Sequence, residues 1–123
     1  MGSSYFVSAD RRSDATWHFT AEQLAATVTR VWPGSTLAGD LDDTLDITVR
    51  AGEHRCELSY QADLQVLVLR DQDPLPATLA VVHTLLSELA PAVPAVRWAD
   101  FDASPEPLDL TAGPDRFVED FGA

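Results

Sequence analysis

Two stretches of the chain place apolar residues at the spacing of an α-helix. The first begins at Thr20, whose hydroxyl can cap a helix, and Gln23 completes a capping box three residues later. The apolar stripe of this helix is Leu24, Val28, Val31 and Trp32. The second stretch spans residues 75–89 and ends before a proline. A shorter apolar pattern between Phe117 and Phe121 predicts a third, C-terminal helix.

Strand patterns occupy the region between the two long helices. Apolar and polar residues alternate over 44–50, and similar runs follow at 55–60 and 64–70. Short turn-forming stretches separate these runs, so we expect a three-stranded antiparallel meander. The run at 64–70 is apolar on both faces, which is typical of a strand in the middle of a sheet or beneath covering elements. Shorter strands are expected at 5–7, 96–101 and 108–110, whereas the acidic stretch before residue 44 is expected to form turns.

The element order β-α-β-β-β-α-β-(β)-α indicates an α+β fold. We expect an antiparallel sheet, a three-stranded meander plus additional strands, with the two main helices packed on one face and a short C-terminal helix. The chain of 123 residues has the length of one domain, so residues 1–123 are expected to form a single domain. This order resembles that of the type III secretion chaperone-like proteins, and the resemblance implies a protein-binding role.

Charge narrows the classes of partner. The chain has 20 acidic and 8 basic residues, a net charge of −12, and all its basic residues are arginine. Nucleic acid and anionic membrane surfaces are disfavoured because both require basic protein surface. The composition favours a GC-rich bacterial genome. With one cysteine, Cys56, and no signal-peptide pattern at its start, the chain is expected in the cytoplasm.

Sequence motifs for catalysis or cofactor binding are missing. The chain lacks GxGxxG, GxxxxGK[ST], GxSxG, HExxH and CxxC, so no cofactor, metal or catalytic residue is predicted. The carboxylates between Asp40 and Asp46 do not follow the EF-hand pattern, and a solvated acidic loop is the favoured interpretation. Cys56 is interpreted as a buried apolar residue, and His83 as a boundary residue with one satisfied nitrogen.

Two classes of function are compatible with these patterns. The favoured one is a non-catalytic acidic protein-interaction module, either an immunity-type inhibitor or a small chaperone or adaptor, that binds a basic partner. Its candidate partner-binding residues are Trp17, Asp40, Asp42, Asp43, Asp100, Asp102 and Asp120. The alternative is a small enzyme or small-ligand-binding protein whose site is assembled from scattered residues, for example Asp46, Thr48 and Arg50. Trp17 is included because it has no clear place in the core, whereas Trp98 is expected in the core.

Overall fold

A computed structural model describes residues 4–40, 42–70, 75–99, 102–108, 110–111 and 113–120. Within these residues the chain forms seven strands and three α-helices. In chain order the elements are β1 (Ser4–Ala9), α1 (Ala21–Val31), β2 (Thr36–Gly39), β3 (Thr44–Ala51), β4 (His54–Gln61), β5 (Val66–Arg70), α2 (Leu75–Leu89), β6 (Ala95–Ala99), β7 (Asp102–Leu108) and α3 (Pro114–Asp120). A 3-10 helix at Arg11–Ser13 follows β1. The predicted α+β class with an antiparallel sheet is confirmed.

All seven strands belong to one sheet in the order β2-β3-β4-β5-β1-β6-β7, and each neighbouring pair is antiparallel. β5 is the fourth strand in this order, as its two apolar faces predicted. The N-terminal strand β1 lies between β5 and β6, with Phe6 opposite Val68 on one side and Trp98 on the other.

Strand side chains alternate between two environments. One set joins residues of all three helices, among them Leu24, Leu85 and Phe117, in a single hydrophobic cluster. The strand members of this cluster are Val7, Ala9, Leu45, Ile47, Val49, Cys56, Leu58, Tyr60, Leu67, Leu69, Ala95 and Leu108. The intervening residues form what we call the second face. Its apolar part comprises Phe6, Val66, Val68, Val96 and Trp98, and its charged residues are Asp46, Arg50, Arg55 and Glu57.

The edge strands differ from the prediction. β2 occupies part of the stretch expected to form turns, and all four of its residues are exposed. A strand exposed on both faces has no alternation of buried and exposed residues, so the sequence does not predict it. β2 is defined instead by its pairing with β3, in which Leu37 lies opposite Ile47. At the other edge, β7 spans Asp102–Leu108 and shares only Leu108 with the strand expected at 108–110. It contains Pro105 and Pro107, which are tolerated because an edge strand has one side without ladder hydrogen bonds.

The predicted capping box of α1 is present. The amide of Gln23 donates to the Thr20 hydroxyl over 3.1 Å, and the Gln23 side chain accepts from the Thr20 amide over 2.9 Å. We expect Thr20→Ala to lower the free energy of unfolding by about 1 kcal/mol, measured by urea denaturation. Thr29→Ala, an exposed change later in the same helix, serves as the control. Equal stabilities of the two variants would contradict a capping role for Thr20.

Candidate functional site

Trp17 is a core residue, so the expectation that it has no place in the core was wrong, and with it goes the reason for choosing it as a partner-binding residue. Its side chain is 1% exposed. Its ring lies 5.2 Å from that of Phe19 and 6.4 Å from that of Tyr60. Trp17 precedes α1 in a segment without regular structure, where no periodicity reports which side chains are buried. Burial raises the pKa of Tyr60 in this cluster, and the positive charge of Arg11 opposes part of that rise.

Three predicted partner-binding residues lie together in the turn between β2 and β3. Asp40, Asp42 and Asp43 are all exposed there. The Asp42 amide donates to the Asp40 carboxylate over 2.9 Å, and the Asp40 amide donates to the carbonyl of Thr44 over 2.9 Å. These bonds order the turn, because a short aspartate side chain satisfies a backbone amide that the hairpin leaves free.

A second turn lies against the first. The amide of Ala62, in the turn between β4 and β5, donates to the carbonyl of Asp43 over 2.8 Å. The residue after Ala62 is the exposed Asp63, followed by Leu64, which is 51% exposed. We name these two joined turns the acidic tip. It is formed by Asp40, Asp42, Asp43, Asp63 and Leu64.

The exposure of Leu64 follows from the geometry of its turn. Leu64 was predicted as a strand residue, but β5 begins at Val66. Gln65 has a φ of 54°, in the left-handed region, and its side-chain amide donates to the carbonyl of Trp17 over 2.9 Å. For a residue other than glycine this conformation costs roughly 1–2 kcal/mol, so surrounding contacts must hold it. The bond to Trp17 is such a contact, and the turn it holds leaves Leu64 in solvent.

Of the remaining predicted carboxylates, Asp102 is not brought to the acidic tip. Asp102 begins β7 opposite Ala99, at the end of the sheet away from the tip. Asp120 is the last residue of α3. Asp100 lies outside the described residues.

The second face contains a pocket of about 200 Å³ near the start of β6. Its apolar walls include Val96, Trp98 and Pro105. The Trp98 ring stacks on Phe6 with centroids 5.5 Å apart and planes at 17°. Trp98 is therefore a half-buried residue of the second face, and its prediction as a core residue was wrong.

Charged residues form the other wall of this pocket. Asp10, Arg11 and Arg12 line it after the end of β1. Asp10 accepts a 3.0 Å hydrogen bond from the Arg12 guanidinium and a 3.1 Å bond from the Arg12 amide. The guanidinium bond is the largest cause that lowers the pKa of Asp10 below its usual value, and a smaller effect of burial opposes it.

The two side chains considered as reactive groups, Cys56 and His83, are both engaged in structural contacts. Cys56 is 1% exposed in the core. His83 Nε2 lies 3.0 Å from the carbonyl oxygen of Leu110. The His83 ring packs edge-on against the Phe117 ring, with an angle of 72° between the ring planes. In the part of the chain that the structure describes, no group of three or more His, Cys, Asp or Glu side chains could hold a metal ion.

Comparison with known proteins provides no relative. No protein-family model, curated protein or solved structure matches the chain. Among the described residues, no helix has both the length and the apolar character needed to cross a membrane.

Proposed function

We propose that the protein is a non-catalytic acidic protein-interaction module that binds a basic partner through the acidic tip. The supporting observation is the 2.8 Å hydrogen bond from Ala62 to Asp43, which joins two turns that together carry four exposed aspartates. Like charges concentrated on one rigid surface raise the local attraction for an oppositely charged partner and the rate of encounter with it.

The aspartates of the acidic tip form no ion pair with any residue that the structure describes. Five arginines form ion pairs with carboxylates elsewhere, for example Arg30 with Glu88 and Arg97 with Glu106. Within the described residues, no arginine lies within ion-pair distance of a tip aspartate. A cationic partner would therefore find carboxylates without having to displace an internal counterion.

Leu64 provides the apolar component of the proposed interface. Charge steers association, but affinity depends largely on a buried contact at the centre of the interface. Leu64 is the more exposed of the two large apolar side chains that are exposed among the described residues, the other being Leu37. We therefore expect a partner that presents an apolar residue between basic ones.

The finer architecture is part of the same proposal. The helices share one cluster with one set of strand residues, which supports two main helices packed on one face beside the β3-β4-β5 meander.

An immunity-type inhibitor of a basic toxin, or a small chaperone or adaptor for a basic client, would use a surface such as the acidic tip. We place this activity in the bacterial cytoplasm and expect no binding to nucleic acid or membranes, because of the net charge of −12.

The alternative, a small-ligand-binding protein, is favoured by the pocket on the second face. Its volume of about 200 Å³ is below the roughly 300–1,000 Å³ typical of ligand pockets, so it does not displace the interaction module as the main function.

The test removes charge from the acidic tip without changing side-chain size. The variant combines Asp40→Asn, Asp42→Asn, Asp43→Asn and Asp63→Asn, and Asn in place of Asp40 still accepts the Asp42 amide. The control combines Glu22→Gln, Glu53→Gln, Asp115→Asn and Glu119→Gln, all at exposed positions. Each set changes the net charge from −12 to −8.

Binding is measured by calorimetry with a synthetic peptide that alternates arginine and leucine, at low and high salt. We expect the wild type and the control set to bind it at low salt, and the tip variant to bind at least about tenfold more weakly. High salt should weaken all binding, since the Debye length falls below about 8 Å above physiological ionic strength. Equal losses in both variant sets would show a response to net charge alone and would overturn the assignment to the tip.

A further inference from the structure

The pocket on the second face has a composition unlike that of the acidic tip. One side is formed by Val96, Trp98 and Pro105, and the other by the segment from Asp10 to Arg12. The aromatic face of Trp98 is held in place by its stack on Phe6. This wall suits a flat apolar group, because offset stacking and exclusion of water both favour an aromatic ligand there.

The charged side of the pocket carries one uncompensated positive charge. Asp10 and Arg12 form an ion pair over 3.0 Å and so neutralise each other. Arg11 is exposed and forms no ion pair with any described residue. Tyr60, the group on which its charge acts, is an uncharged phenol at physiological pH, and burial raises its pKa further from that range. In a protein of net charge −12, an arginine without a carboxylate partner beside an apolar wall is a local exception.

The pocket volume indicates the size of the group that it can hold. An engineered apolar cavity of roughly 150 Å³ admits benzene, so about 200 Å³ accommodates a single ring with a small substituent. We propose that this pocket binds a ligand that carries one aromatic ring and a carboxylate close to it, with the ring against Trp98 and the carboxylate paired with Arg11. Two sources share that chemistry, a free aromatic acid and the C-terminal phenylalanine of a peptide.

The test uses benzoate, with benzyl alcohol and benzylamine as its neutral and cationic counterparts. Binding is followed by tryptophan fluorescence and by amide chemical shifts of residues around the pocket. We expect benzoate to bind the wild type at least about tenfold more tightly than benzyl alcohol, because a charge-assisted pair adds to the apolar contact. Benzylamine should bind no better than the alcohol. Equal binding of all three, or shifts confined to other surfaces, would overturn the proposal.

Variants assign the two contacts separately. Arg11→Gln should reduce benzoate binding to the level of benzyl alcohol, whereas Arg50→Gln, the same charge change elsewhere on the second face, should not alter it. Trp98→Ala should weaken both ligands. Unchanged benzoate binding by Arg11→Gln would refute the carboxylate pairing. Because Arg11 is exposed, this variant replaces no core residue, and loss of folding does not complicate the comparison.

A further arm separates the two sources of ligand. Acetyl-Gly-Phe with a free carboxylate is compared with its amide and with benzoate. Tighter binding of the peptide acid assigns a peptide C-terminus, and tighter binding of benzoate assigns a free acid. The four-Asn tip variant should bind benzoate as the wild type does, so this proposal and the proposed function fail independently.

Discussion

Replacing Trp17 by alanine is expected to lower the free energy of unfolding by about 3–5 kcal/mol, the range for removing a large aromatic side chain from a core. The ring is 1% exposed and packs against Phe19 and Tyr60. Its loss leaves a cavity beneath the segment that leads into α1. The carbonyl of Trp17 also holds Gln65 in the β4–β5 turn of the acidic tip, so the effect should extend to that turn.

Urea denaturation of two further variants tests the cause of that loss. Trp98→Ala makes the same chemical change in a half-buried residue of the second face, and we expect it to cost less than half as much. Trp17→Phe should also be milder, because Trp17 Nε1 is buried and has no hydrogen-bond partner among the described residues. Removing this unpaired donor recovers the roughly 1–3 kcal/mol that its desolvation costs. That gain offsets part of the cost of the cavity, which is smaller with phenylalanine than with alanine. A Trp17→Ala protein as stable as the wild type would contradict the core assignment.

Features that depend on neighbouring residues in the chain were predictable. The capping box links Thr20 and Gln23, three positions apart, so the residue types alone indicate it. The central position of β5 follows from its apolar residues on both faces, because an exposed strand would carry polar residues on one of them.

Features that depend on contacts between distant segments were not predictable. The burial of Trp17 is decided by Tyr60 of β4 and by Gln65, and nothing near Trp17 in the sequence indicates those neighbours. The composition of the acidic tip likewise depends on contacts between distant segments. Asp40, Asp42 and Asp43 were recognised as an acidic cluster, but Asp63 joins them only through the register of β3, β4 and β5, which places Ala62 beside Asp43.

Gly39→Ala is expected to lower the free energy of unfolding by about 3 kcal/mol or more. Gly39 ends β2 with a φ of 95°, and a Cβ built there would lie 2.3 Å from the carbonyl oxygen of Thr44. That oxygen accepts the Asp40 amide, so the added methyl group displaces the bond that closes the hairpin. Because β2 is an edge strand, the hairpin should loosen first. Hydrogen exchange at the Asp40 amide and urea denaturation measure the two effects.

Gly34→Ala separates the clash from the cost of the backbone conformation. Gly34 has a φ of 92°, close to that of Gly39, but a Cβ there would meet no atom within 4 Å. We expect this control to cost only the roughly 1–2 kcal/mol of a left-handed non-glycine residue and to leave the Asp40 amide protected. Gly39→Ala also keeps the net charge at −12 while it displaces Asp40, Asp42 and Asp43. It should therefore weaken binding of the basic peptide. Equal stability and equal peptide binding of Gly39→Ala and Gly34→Ala would show that neither the Thr44 contact nor the arrangement of the tip matters.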